Sequence, residues 1–62
     1  MSSIDYEAEV KKVYEGAEVK PFYVFDVALK YFIEDSLTGN QLSKTEFEPS
    51  EAWQSAYETL KT

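Results

Sequence analysis

The clearest fold signal lies in residues 31–60, which read YFIEDSLTGNQLSKTEFEPSEAWQSAYETL. The opening Tyr-Phe-Ile is β-prone, and residues 36–40 contain a glycine and an asparagine, which tolerate positive φ in a turn. A loop of four or five residues is a common hairpin connection, so residues 41–47 are predicted to return as a strand. This part of the chain therefore predicts a β-hairpin that leads into a helix.

The final helix has clear start and stop signals. Pro49 suits the first helical position, and Glu48 and Glu51 place negative charge at the positive end of the helix dipole. Lys61 places positive charge near the other end. One apolar stripe follows helical spacing, and its members are Ala52, Trp53, Ala56, Tyr57 and Leu60. We predict an amphipathic helix that packs through this stripe.

A first helix is predicted over residues 4–15. Its apolar side chains recur at helical spacing, at Tyr6, Val10, Val13, Tyr14 and Ala17. Ser2 or Ser3 is expected to cap its start by accepting a backbone N–H bond. Gly16 is expected to end it in the left-handed conformation.

The region between this helix and the hairpin fits two patterns. Alternating apolar residues predict two strands, about 18–25 and 29–35, with a reversal near Asp26, Val27 and Ala28. That reversal contains no Gly, Pro or Asn. A helix over 21–33, opened by Pro21, and one long bent strand are the alternatives. The Val, Phe and Tyr content favours the two strands.

These elements assemble into one α+β domain over residues 1–62. The predicted order is α-β-β-β-α, a three-stranded antiparallel meander covered by two helices, because two helices can bury one face of such a sheet. The order resembles that of the double-stranded-RNA-binding domain, whose second helix has an alanine-rich stripe like Ala52, Ala56 and Leu60 here. That family binds RNA through lysines at the start of this helix. The present chain has Pro49, Ser50 and Glu51 there, so the resemblance implies the fold but not RNA binding.

A second resemblance concerns the end of the chain. Residues 51–60, EAWQSAYETL, look like the ends of small uncharacterised phage and bacterial proteins. This resemblance implies a small accessory or phage-type protein.

The composition excludes several kinds of site. The 62-residue chain contains no Cys or His, so it has no disulfide and lacks the usual ligands of a structural zinc site. Its net charge of −6 disfavours contact with nucleic-acid backbones and anionic membranes. No segment approaches the roughly 18–20 apolar residues of a membrane span. We therefore expect a cytoplasmic protein with no cofactor, no membrane association and no direct nucleic-acid binding.

Catalysis is not predicted. The acidic candidates are Asp26, Glu34 and Asp35, but neighbours in a strand face opposite sides, so Glu34 and Asp35 do not converge on one pocket. The turn after them lacks the alternating oxygen ligands of a calcium loop. We predict a protein that is not an enzyme and holds no metal.

The aromatic content points instead to an interaction surface. Five Tyr, four Phe and one Trp exceed what one sheet face of a small domain can bury. Side chains alternate between the two faces of a sheet, so the even-numbered Phe22, Val24 and Phe32 should lie on the face opposite the odd-numbered residues. These three are the predicted contacts to a protein partner or a second copy. A basic groove around these rings, as in a nucleic-acid stacking platform, is not predicted, since only Lys20 and Lys30 lie nearby.

The alternative function is mimicry of a nucleic acid. An acidic protein can occupy a DNA- or RNA-binding protein by spacing carboxylates like phosphates. The carboxylates available for this are Asp5, Glu7, Glu9, Glu46, Glu48, Glu51 and Glu58. A net charge of −6 is also within the usual range of small soluble domains.

Overall fold

A computed structural model of the chain describes residues 4–61, without the side chain of Ala28. Within these residues the elements are α1 (Tyr6–Val13), β1 (Ala17–Val24), β2 (Val27–Asp35) and α2 (Pro49–Leu60). β1 and β2 pair antiparallel, from Ala17 opposite Asp35 to Val24 opposite Val27. Both helices and the two strands in the middle of the chain are confirmed, and the helix over 21–33 is wrong.

The core lies at the base of this hairpin, which is the end formed by Ala17 and Asp35. Its buried apolar side chains are Val10, Ala17, Ile33, Ala52, Trp53 and Ala56. The helices meet each other beside it, with the rings of Tyr6 and Tyr57 5.1 Å apart. All three buried positions of α2 belong to the predicted stripe, so that prediction is confirmed.

The ends of α1 differ from the prediction. Asp5 is the N-cap, and its Oδ1 accepts a hydrogen bond from the backbone N–H of Ala8 at 3.2 Å. Ser2 and Ser3 lie outside the described residues. Gly16 follows α1, but it is not left-handed, since Gly39 is the described glycine with positive φ. Across residues 4–61, neither helix has the length and apolar character that a membrane crossing requires.

The predicted third strand is wrong, and the three-stranded meander with it. Residues 41–47 run beside β2 but pair with it only at two isolated bridges, Glu34 with Gln41 and Tyr31 with Glu46. Between the bridges β2 advances three residues while the other segment advances five, so the ladder cannot stay in register. The side chain of Ser43 fills the gap, because its Oγ accepts the Ile33 N–H at 2.8 Å in place of a backbone carbonyl.

The turn before this segment has the predicted left-handed glycine, although it does not lead into a strand. Gly39 adopts φ of +80°, and its N–H donates to the Asp35 carbonyl at 2.7 Å. The buried Asp35 carboxylate accepts from the Leu37 N–H at 3.0 Å and from the Thr38 hydroxyl at 3.1 Å. Asp35 therefore has a structural role at the base of the hairpin.

The turn between β1 and β2 is strained. It consists of Phe25 and Asp26, one residue earlier than predicted, with φ of 52° and 68°. Positive φ at both central residues of a two-residue loop is characteristic of a type I′ turn, which favours Asn-Gly. Phe25 is a bulky residue in the left-handed region, a conformation that costs roughly 1–2 kcal/mol in a non-glycine residue.

Relieving this strain is expected to stabilise the protein. The double variant Phe25→Asn, Asp26→Gly should raise the free energy of unfolding by about 1–2 kcal/mol, measured by urea denaturation and circular dichroism. Phe25→Ala is the control, because it removes the exposed ring but keeps a Cβ at positive φ; we expect a change within about 0.5 kcal/mol. If the double variant is no more stable than the parent, the turn at Phe25 and Asp26 is not strained.

Candidate interaction surface

The hairpin extends beyond the core that anchors it. Its buried residues, Ala17, Ile33 and Asp35, all lie in the half near the base. Nine residues of strand span about 30 Å, whereas the twelve residues of α2 span about 18 Å. The distal half therefore carries apolar side chains that remain exposed, and these are Phe22, Tyr23, Val24, Phe25, Val27 and Leu29.

The side of the hairpin that faces away from the core forms a defined surface. Because Ala17 and Ile33 point into the core, their strand neighbours point the other way, and residues directly opposite each other share a face. Three cross-strand pairs, or rungs, therefore lie on this side, and they are Glu18 with Glu34, Lys20 with Phe32, and Phe22 with Lys30. We call these six residues the outer hairpin face.

The structure places the three predicted contact residues along this side. Phe22 is 44% exposed, and Phe32 is half-buried but does not pack against the core cluster. Both belong to the outer hairpin face, on adjacent rungs. Val24 continues the same parity along β1 and pairs with Val27 at the tip, beyond a register shift between Phe22 and Tyr23.

Two further exposed rings lie near this surface and were not predicted as partner contacts. Phe25, at the tip, is 95% exposed, so its side chain stabilises nothing within the described chain. Phe47 is 70% exposed, and the Lys30 Nζ lies 5.0 Å from its ring centroid, beside the outer hairpin face. In the sequence, the only indication of an unusual residue near Phe25 is that the predicted reversal contains no Gly, Pro or Asn. Phe47 lies in the segment that was predicted to be the third strand.

The outer hairpin face is electrically balanced, unlike the rest of the chain. It holds two lysines and two glutamates, so the remaining ten acidic residues and four lysines carry the whole net charge of −6. Glu18 and Lys20 form an ion pair with 3.7 Å between Oε2 and Nζ. Glu34 lies at the base end of β2 and Lys30 toward the tip, so charge alternates in sign along the strand.

The free edge of β1 is poorly suited to adding a strand. The N–H and C=O of Tyr31 both bond to Glu46, so the backbone of Tyr31 points away from β1. Pro21, opposite Tyr31, therefore turns its nitrogen toward the free edge. Proline has no N–H to donate, so the middle of this edge cannot form a continuous ladder. The face, not the edge, is the available surface.

The candidate catalytic carboxylates are not brought together. Asp26 lies at the tip of the hairpin and Asp35 at its base, about 30 Å away along β2. Glu34 is on the outer hairpin face, while Asp35 bonds to the turn that follows it. In the described part of the chain, no group of three or more acidic residues is arranged to hold a metal ion.

The five rings that a nucleic-acid stacking platform would use are also divided between surfaces; they are Phe22, Tyr23, Phe25, Tyr31 and Phe32. Tyr31 packs against the core, whereas Phe22 and Phe32 lie on the opposite side. Only two of the five therefore share the outer hairpin face, with Phe25 at its tip.

The acidic residues are distributed and partly neutralised. On α1, Glu7 is 2.6 Å from Lys11 and Glu9 is 2.9 Å from Lys12, and the hydrogen bond that Lys12 donates to the Glu9 carboxylate raises the pKa of Lys12. Beside α2, an open polar groove of about 360 Å³ has three glutamates and a lysine among its lining residues, Lys44, Glu46, Glu51 and Glu58.

A second groove, of about 510 Å³, is more apolar. It lies between α1, α2 and the segment after the Gly39 turn, with Val13, Leu42 and Leu60 in its walls. Val10, Tyr14 and Ala56 also line this second groove.

Compared with known proteins, the chain matches no family model, no curated protein and no solved structure. The resemblances to double-stranded-RNA-binding domains and to small phage and bacterial proteins therefore stay predictions.

Proposed function

We propose that the chain is a small non-catalytic interaction module that binds a protein, either another protein or a second copy, through the outer hairpin face. The observation that carries this proposal is the pair of phenylalanines, Phe22 and Phe32, on a sheet face that the core does not cover. Aromatic side chains at this kind of exposed patch are typical of protein interfaces.

The charge distribution supports a protein ligand over a nucleic acid. A stacking surface for single strands works together with a positive groove, whereas this face is neutral and the rest of the chain is negative. Nucleic-acid mimicry, the alternative, is weakened by the two ion pairs on α1, because Glu7 and Glu9 are already neutralised by lysines.

Affinity capture tests the proposal. Tagged protein is incubated with lysate of the source cells, with and without nuclease, at low and high salt. A partner bound through the outer hairpin face should survive nuclease and high salt, and Phe22→Ser should abolish its capture, because loss of a central interface aromatic typically weakens binding by about 2 kcal/mol or more.

The matched control is Leu37→Ser, which removes a large apolar side chain that is 74% exposed in the turn at the base. Circular dichroism verifies that both variants fold. Capture retained by Phe22→Ser, or lost equally in both variants, would contradict the proposed surface. Capture that depends on low salt, and is competed by DNA, would favour mimicry instead.

A further inference from the structure

We infer that the outer hairpin face binds the same face of a second copy, in an antiparallel dimer with two-fold symmetry. This inference rests on the proposed function and specifies its ligand. It is carried by the order of side chains along β2, where Lys30, Phe32 and Glu34 follow one another on the outer hairpin face.

The order of these three residues is self-complementary. A two-fold axis through Phe32 stacks this ring on Phe32 of the second copy and reverses the direction of the strand. Lys30 of each copy then faces Glu34 of the other, so the symmetry forms two ion pairs at once. The two charges are about 13 Å apart along β2, which separates the pairs and leaves the aromatic contact between them.

Lys30 and Glu34 are free to form these pairs. Across residues 4–61, neither takes part in an ion pair, and the Lys30 ammonium contacts the Phe47 ring instead. The same axis brings the two copies of Lys20 toward each other. Each of these lysines is compensated by Glu18 of its own chain, so the repulsion between them is reduced.

The rest of the surface disfavours other modes of self-association. Because the remaining residues carry all of the net charge of −6, the repulsion between two copies is on average greater when they approach through other sides. Pairing through the edge of β1 is interrupted by Pro21. The neutral outer hairpin face is thus the side through which two copies can approach with least repulsion.

The size of the face limits the affinity. Two strands about 30 Å long form a face of about 30 by 10 Å, smaller than a standard protein interface of roughly 800 Å² per partner. We therefore expect a weak, reversible dimer with a dissociation constant of about 10 µM to 1 mM. Self-association should be visible by sedimentation equilibrium across that concentration range.

Charge exchange between copies is the decisive experiment. Lys30→Glu places glutamate opposite Glu34, and Glu34→Lys places lysine opposite Lys30, so each variant alone should dimerise at least tenfold more weakly than the parent. An equimolar mixture of the two restores both ion pairs, because one copy then has two glutamates and the other two lysines. The mixture should therefore recover the parent's dissociation constant to within about threefold.

Two controls isolate the contact. Lys44→Glu and Glu58→Lys make the same charge changes outside the outer hairpin face and should leave self-association within about twofold of the parent. If either test variant fails to fold, isotope-filtered NMR of mixed labelled and unlabelled parent protein provides a second readout. Contacts between the Phe32 rings of two copies are then expected.

Three results would overturn the inference. These are a parent protein that stays monomeric up to about 1 mM, a mixture of Lys30→Glu and Glu34→Lys no tighter than either variant alone, and a dimer without contacts between Phe32 rings. The proposed function fails separately. A monomeric parent whose captured partner is still lost in Phe22→Ser would refute the dimer and leave the interaction surface intact.

Discussion

Replacing Trp53 by alanine is expected to lower the free energy of unfolding by about 3–5 kcal/mol. Trp53 is 8% exposed and is the largest side chain of a core in which three of the six buried apolar residues are alanines. The cavity cannot be filled by such small neighbours. A 62-residue domain is marginally stable, with about 5 kcal/mol in total, so the variant should retain only about 0–2 kcal/mol and unfold at a much lower urea concentration than the parent.

The measurement is urea denaturation followed by circular dichroism, because the variant lacks the only tryptophan. Phe47→Ala is the matched control, since it removes an exposed ring that lies outside the core cluster. Its free energy of unfolding should change by no more than about 0.5 kcal/mol. A Trp53→Ala variant within about 1 kcal/mol of the parent would show that the core is organised around other residues.

Local sequence signals were sufficient for four elements of the fold. The apolar stripe of α2, Pro49 at its first turn and the alternation in β1 and β2 each depend on residues close together in the chain. Residues 41–47 were different. The turn at Gly39 predicts a returning strand there, but Ser43 bonds to Ile33 with its side chain, and the Lys44 N–H donates to Ser55 of α2 at 3.2 Å. Those contacts depend on the tertiary structure, so local propensity cannot indicate them.

The candidate surface was predictable only in part. The alternation of side-chain direction along a strand predicted that Phe22 and Phe32 share one side of the sheet, and the register of β1 and β2 places them there. The tip was not predictable in the same way. Phe25 at positive φ contradicts the usual preference for Asn or Gly, and the contact between Phe47 and Lys30 depends on the tertiary structure. Such local violations of propensity are expected at functional or strained sites.

Glycine at position 16 illustrates a second limit of the sequence pattern. A glycine just after a helix predicts a left-handed cap, but the reason for Gly16 is space. A Cβ at this position would lie 2.8 Å from the Asp35 Oδ1, 2.8 Å from the Leu37 Cγ and 2.8 Å from the Ser36 Oγ. The Gly16 carbonyl also accepts the Ser36 N–H at 2.8 Å, so the two segments cannot separate without breaking that bond.

Gly16→Ala should therefore lower the free energy of unfolding by about 1–3 kcal/mol, as expected for overpacking against the buried Asp35 carboxylate. Gly39 is the matched control, because its φ is +80° but a Cβ there would have no heavy atom within 4 Å. Gly39→Ala should lower the free energy of unfolding by about 1 kcal/mol, and Gly39→Asn by less, since asparagine tolerates the left-handed region.

Asparagine separates the two explanations. At position 39 it relieves a conformational penalty, whereas at position 16 its longer side chain meets the same three atoms as alanine. Thermal and urea denaturation of the four variants should show Gly16→Asn at least as destabilised as Gly16→Ala, and Gly39→Asn more stable than Gly39→Ala. If asparagine is tolerated at position 16 and alanine is not, the left-handed interpretation of Gly16 is restored and the steric one fails.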